Sequence, residues 1–92
     1  MNLRGEAKGR ICMVRLPGTC VSGTDTTVLA HVRLAGITGV GVKSPDLLGA
    51  WACAACHLVT EREKGDDWVQ RCFLEGVMRT QNVLIAEGKL KW

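Results

Sequence analysis

Cys53-Ala54-Ala55-Cys56-His57 is the stretch on which the fold turns. Two residues between cysteines let both thiolates converge on one tetrahedral ion, and a second pair elsewhere completes the shell. Cys12 and Cys20 are that second pair. The gap between them is longer than the usual knuckle, but Pro17-Gly18 lies inside it and can fold the chain back on itself. Zinc is the ion that suits four thiolates. The competing readings are a disulfide framework or plain buried thiols. Disulfides belong to secreted chains, and Met1-Asn2-Leu3-Arg4-Gly5-Glu6-Ala7-Lys8 lacks the apolar core of a signal peptide. The expectation is therefore a reducing cytoplasm and a structural zinc on Cys12, Cys20, Cys53 and Cys56. The fifth cysteine, Cys72, falls in a helical apolar pattern and is expected in the core.

With 92 residues, the chain is read as a single domain, residues 1–92. A chain of this size buries only ~60–65% of its surface, so a structural metal is a natural supplement to its core. No apolar run approaches the ~20 residues that span a bilayer, which argues against a membrane protein. Net charge is +3, and all of the excess sits in residues 1–20, where Arg4, Lys8, Arg10 and Arg15 face Glu6 alone. Such a patch suits phosphate contacts, and hence DNA, with plain solvated surface as the alternative. Three tryptophans and one phenylalanine are too few for a set of base-stacking platforms, so Trp51 and Trp68 are read as core aromatics.

Along the chain, residues 1–10 read as a basic, loosely ordered lead-in. Ile11, Met13 and Val14, and then Thr26-Thr27-Val28-Leu29-Ala30-His31-Val32, favour extended structure. A hairpin across Ser22-Gly23-Thr24-Asp25 is expected to join them. Residues 35–45 contain three glycines and read as a loop. Their glycine spacing matches neither phosphate-binding fingerprint, so a connector is preferred over a phosphate cradle. Ser44-Pro45-Asp46 reads as a helix start with Ser44 as cap and a short turn through Trp51. A second helix is predicted from the Cys53 knuckle to about Lys64. A third is predicted over 66–88, capped by Asp66, with Trp68, Val69, Cys72, Phe73, Gly76, Val77 and Leu84 on one apolar face and a stop at Glu87-Gly88.

Two histidines flank this frame. A lone histidine is more often structural than catalytic, but His31 ends a predicted strand and His57 opens a helix tethered by the same cysteine cluster. Imidazole titrates near neutrality, so His31 can take a proton from water. His57 can hold a divalent ion whose charge offsets that developing on a phosphodiester. Arg33 lies two residues beyond His31 and on a strand would share its face. Arg33 and Lys43 are further candidates for phosphate contact, each with a plain surface role as its alternative.

The order of cysteine pair, hairpin histidine, glycine loop, polar residue and final Cys-x-x-Cys-His resembles the HNH nucleases of the His-Me finger superfamily. More closely, Val28-Leu29-Ala30-His31-Val32-Arg33-Leu34, Lys43-Ser44-Pro45-Asp46-Leu47-Leu48 and Ala52-Cys53-Ala54-Ala55-Cys56-His57 resemble the small YbcO-like nucleases of phages and prophages. The resemblance implies a small zinc-stabilised α+β domain of the ββα-metal, HNH-like type with a C-terminal helix. It implies metal-dependent endonuclease activity on DNA in the cytoplasm of a bacterial host, using magnesium, manganese or a similar ion. His31 would be the general base, His57 the ligand of the catalytic metal, and Asp46 the residue that orients the hairpin and its histidine. Asp46 as an ordinary first-turn residue is the other reading. Ala30 stands where many HNH enzymes carry a metal ligand, so the resemblance implies one protein ligand fewer. A catalytically inactive, zinc-containing DNA-binding or adaptor module is the alternative, and a purely structural module that contacts another protein is a third class.

Overall fold

A computed structural model describes residues 2–21, 23–33, 37 and 44–90. Its elements are α1 (Leu3–Glu6), β1 (Val28–His31), a 3-10 turn (Asp46–Leu48), β2 (Gly49–Ala52), α2 (Ala54–Arg62) and α3 (Asp67–Ala86). The result is a small α+β fold, as expected. No helix among the described residues is long and apolar enough to cross a membrane.

The strands pair differently from the expected hairpin across 22–25. β1 runs antiparallel to β2, with Val28 opposite Ala52, Leu29 opposite Trp51, Ala30 opposite Ala50 and His31 opposite Gly49. The partner strand thus comes from the segment expected to stay helical through Trp51. Two facts decide this. Pro45 is extended (φ −60°, ψ 142°) and Ser44 makes no capping bond, so the turn winds only over Asp46–Leu48. Residues 49–52 are buried throughout, which a strand covered on both faces allows. Residues 11–14 contribute a single bond to the sheet, from the Met13 N–H to the Trp51 carbonyl at 2.7 Å. Arg15 then enters the left-handed region (φ 56°) and turns the chain away before a ladder forms. The turn expected at Pro17-Gly18 is present: Gly18 has φ 74°, and the Cys20 N–H donates to the Leu16 carbonyl at 2.9 Å.

α3 covers β2. Asp66 caps it as expected, accepting from the Val69 N–H at 3.0 Å. Val69, Phe73, Gly76, Val77, Thr80 and Leu84 form its buried stripe, and full burial of a side chain such as Phe73 contributes about 1.5–3 kcal/mol. Trp68 departs from the expectation. It is 53% exposed, because one residue before Val69 is a rotation of about 100° off the stripe. Cys72 is half-buried against the main core. Gly76 permits close approach: a Cβ there would meet Val14 Cα at 3.0 Å and the Met13 carbonyl at 3.1 Å. Thr80 joins helix to strand, since its buried hydroxyl accepts from the Trp51 N–H at 3.0 Å and donates to the Gly76 carbonyl at 2.8 Å. The helix closes at Gly88 (φ 75°), with the Gly88 N–H donating to Ile85 and the Lys89 N–H to Leu84, the paired bonds of a Schellman end.

The N-terminus is ordered, against the expectation of a loose lead-in. Asn2 caps α1 through the Gly5 N–H at 3.0 Å, and Ala7 is buried with Met13, Trp51 and Leu84. Arg10 fastens this end to the far end of α3. Its guanidinium meets both Glu87 oxygens at 2.6 Å and Glu6 at 3.1 Å, and lies 4.5 Å over the Trp51 ring. The Arg10 guanidinium beside Glu87 holds that carboxyl down at about 2, against an ordinary 4.5. The clip therefore stabilises fully above the ordinary carboxylate range and is lost as pH falls through about 2. Replacing Glu87 by glutamine is expected to lower the melting temperature at neutral pH. Circular dichroism melts should show the difference from the parent protein narrowing below pH 4.5 and closing near pH 2.

Cys12, Cys20, Cys53 and Cys56 meet beneath the sheet, their sulfur atoms all within 4.8 Å of one another. Zinc at about 2.3 Å from each thiolate would set the sulfurs about 3.8 Å apart, so a small contraction completes a tetrahedron. Four close cysteines in this arrangement could hold a metal ion such as zinc. Burial, with Cys12 close by, pushes the Cys20 thiol up to about 11. Burial pushes Cys56 up as well. Burial opposes ionisation of Cys53 too, but the Cys56 and Val21 backbone groups outweigh it and bring this thiol down to about 7. Removing zinc with a strong chelator is expected to abolish the cooperative melting transition. Cys53→Ala should lose zinc by mass spectrometry, whereas Cys72→Ala should keep it.

Candidate active site

His31 ends β1, and the alternation of a strand settles which neighbour shares its surroundings. Ala30 is 1% exposed and packs in the main core, while His31 turns to the surface. The 3-10 turn brings Asp46 to it, and His31 Nε2 lies 2.6 Å from Asp46 Oδ1. Arg4 from α1 reaches the same oxygen through Nε at 3.3 Å. The His31 hydrogen bond, aided by Arg4 and opposed by partial burial, holds the Asp46 carboxyl below the usual carboxylate range. An ionised carboxylate only accepts. His31 Nε2 then donates to it, and in the neutral ring Nδ1 carries the lone pair.

His57 stands in the first turns of α2, its N–H bonded to the Cys53 carbonyl at 2.8 Å. The cysteine cluster thus fixes its backbone directly. Glu61, four residues on, lies on the same helix face, with Oε1 3.8 Å from His57 Nε2. Arg33 meets the same Glu61 oxygen at 3.3 Å. Glu61 is the residue that the sequence reading did not single out. A carboxylate at helical spacing from a histidine is the signal that could have found it.

Of three cavities among the described residues, two are lined by His31 and the third by His57. Glu61 lies between the two histidines. It shares a groove of about 430 Å³ with His57, Thr26, Val28 and Leu58, and a small cleft with His31, Arg33, Thr60 and Phe73. A separate pocket of about 120 Å³ is lined by Arg4, His31, Arg33 and Ser44. Of the basic candidates, Arg4 and Arg33 reach this pocket. Lys8 is exposed, Arg15 donates to the Cys12 carbonyl at 3.3 Å, and Arg10 is taken up by Glu6 and Glu87. Lys43 lies outside the described residues.

Among the described residues, the four thiols are the one set of three or more histidine, cysteine or carboxylate groups that converges. His57 and Glu61 form a pair. A hard divalent ion such as magnesium keeps several waters and takes one or two protein ligands plus substrate phosphates. The His57–Glu61 pair fits such a partial shell. Ala30, enclosed by the core, is not placed to join it.

Residues 1–89 match the family described as "Putative nuclease YbcO". The chain is 44% identical to "Putative nuclease YbcO" of Escherichia coli strain K12 over 93 aligned residues, covering 98% of this chain and 97% of that one. The similarity to "Putative nuclease ybcO" of Enterobacteria phage 82 is the same in identity and coverage, 44% and 98% of this chain. A solved structure, "Structure of a putative bacteriophage protein from Escherichia coli str. K-12 substr. MG1655", superimposes with a TM-score of 0.77 at 40% identity, over 95% of this chain and all of that one. A chain matched from end to end in this way, in sequence and in fold, belongs to the YbcO nuclease family.

Proposed function

We propose that this protein is a metal-dependent endonuclease of the HNH type that hydrolyses phosphodiester bonds of DNA, acting in the cytoplasm of a bacterial host. The observation that carries the reading is the 2.6 Å contact between His31 and Asp46, on an antiparallel strand pair followed directly by the helix that carries His57 and Glu61. That succession is what the HNH resemblance implies. The family name adds a nucleic-acid substrate.

In this mechanism His31 Nδ1 withdraws a proton from a water as its oxygen attacks phosphorus, and the bond from phosphorus to the leaving deoxyribose oxygen breaks, that oxygen taking a proton from solvent water. Asp46 holds the ring in place and stabilises the imidazolium that forms. Arg4 and Arg33 offer guanidinium donors to the phosphate. His57, with Glu61, would hold the divalent ion, which when bound offsets the negative charge developing on the phosphodiester. Glu61 would supply a carboxylate ligand where Ala30 offers none. Lys8 and Arg15 are further candidates for contacts along the strand. Arg10 is the poorest of the set, since two carboxylates already neutralise it.

His31→Ala is expected to reduce nicking of supercoiled plasmid by about 10²–10⁴-fold while zinc content, melting temperature and DNA affinity stay close to the parent protein. His57→Ala should also lose nicking, but raised magnesium or manganese should restore part of it. Folded, zinc-loaded parent protein that cuts no DNA with any divalent metal would overturn the endonuclease reading in favour of a binding module.

A further inference from the structure

We propose that the pocket lined by Arg4, His31, Arg33 and Ser44 seats the phosphate of the DNA strand beside His31, and that Ser44 and Arg4 bind its nonbridging oxygens. The proposal rests on His31 as the general base and names the residues that present the substrate to it. At about 120 Å³, the pocket has room for a phosphate group.

Two observations select the residues. The Ser44 hydroxyl is buried and finds no hydrogen-bond partner among the described residues, although Ser44 lines the pocket. An unpartnered buried hydroxyl destabilises a fold, and rotation of the Ser44 side chain into the pocket would let a phosphate oxygen satisfy it. Arg4 supplies the second. Only its Nε is engaged, by Asp46 at 3.3 Å, so among the described residues its two terminal amino groups bond no protein atom. Arg33, by contrast, turns both Nε and a terminal amino group to Glu61. One guanidinium that touches Asp46 on one edge and the phosphate on the other fixes the distance between the His31–Asp46 pair and the phosphorus. Arg4 is thus a substrate-binding residue delivered by α1, and Ser44 is its neutral counterpart on the opposite wall.

The test separates this pocket from the catalytic reading. Ser44→Ala removes a hydroxyl that bonds nothing among the described residues, so its melting temperature should be unchanged or higher while plasmid nicking falls about tenfold, the loss of one hydrogen bond to a charged group. Binding is read without cleavage in a His31→Ala background, using a short fluorescein-labelled DNA duplex across a salt series. Arg4→Ala should lower the slope of log affinity against log salt by about 0.9, the value of one phosphate contact. Arg4→Lys should restore most of that slope, and Arg71→Ala, on the exposed side of α3, should leave it unchanged. A role of Arg4 confined to bracing Asp46 would not move the slope. Nicking undiminished in Ser44→Ala, together with an unaltered slope in Arg4→Ala, overturns the pocket and leaves the endonuclease standing. A parent protein that cuts nothing, yet loses slope with Arg4→Ala and affinity with Ser44→Ala, upholds the pocket and overturns His31 as base.

Discussion

Everything in this fold is referred to one meeting of sulfur atoms. Cys12 and Cys20 come from an irregular stretch with little secondary structure of its own, and Cys53 and Cys56 from the junction of β2 and α2. Four thiols within 4.8 Å would repel one another once charged, and a shared cation would offset that repulsion and tie the two segments together. The stretch 11–21 lies against β2, where the Met13 N–H donates to the Trp51 carbonyl. The Cys53 carbonyl in turn accepts from the His57 N–H. The cysteine cluster and the candidate active site are separate, but the first positions the second.

The parts that the sequence makes legible are those whose signals are local. The cysteine spacing announces the cluster, Asp66 and Gly88 mark the ends of α3, and the apolar repeat draws its buried stripe. What escapes is whatever depends on a partner far along the chain. Gly49-Ala50-Trp51-Ala52 carries no alternation because both of its faces are covered, and a uniformly buried strand is hard to tell from a helix turn on pattern alone. The hairpin is misplaced for the same reason: a turn at Gly23 is locally attractive, but β1 gains more from β2, which α3 already covers. α1 has too few residues for any periodicity, and its order comes from Arg10 and Glu87 at opposite ends of the chain. Trp68 shows the limit of the stripe, where an aromatic side chain of the right character sits one helical step off the buried face.

The site divides along the same line. His31, Asp46 and His57 can be named from their order, and the fold brings Asp46 onto His31. Ala30, which in sequence suggests a missing ligand, faces the core and so stands outside the question. Glu61 and Ser44 become visible only in three dimensions. One acquires meaning from the helix face it shares with His57, the other from a hydroxyl that the protein leaves unsatisfied. Neither residue type is distinctive in a sequence, and the i, i+4 spacing that points to Glu61 counts only once the helix is in place.

The threonine at position 80 has a consequence for how this protein meets others. A two-stranded sheet ordinarily exposes rows of unpaired amides and carbonyls that invite a third strand, whether from a peptide or from another copy. At the middle of β2 that invitation is withdrawn: Trp51 has its N–H on Thr80 and its carbonyl on Met13. Association by strand addition along this edge is therefore closed, and with it a common route from small exposed sheets to aggregates.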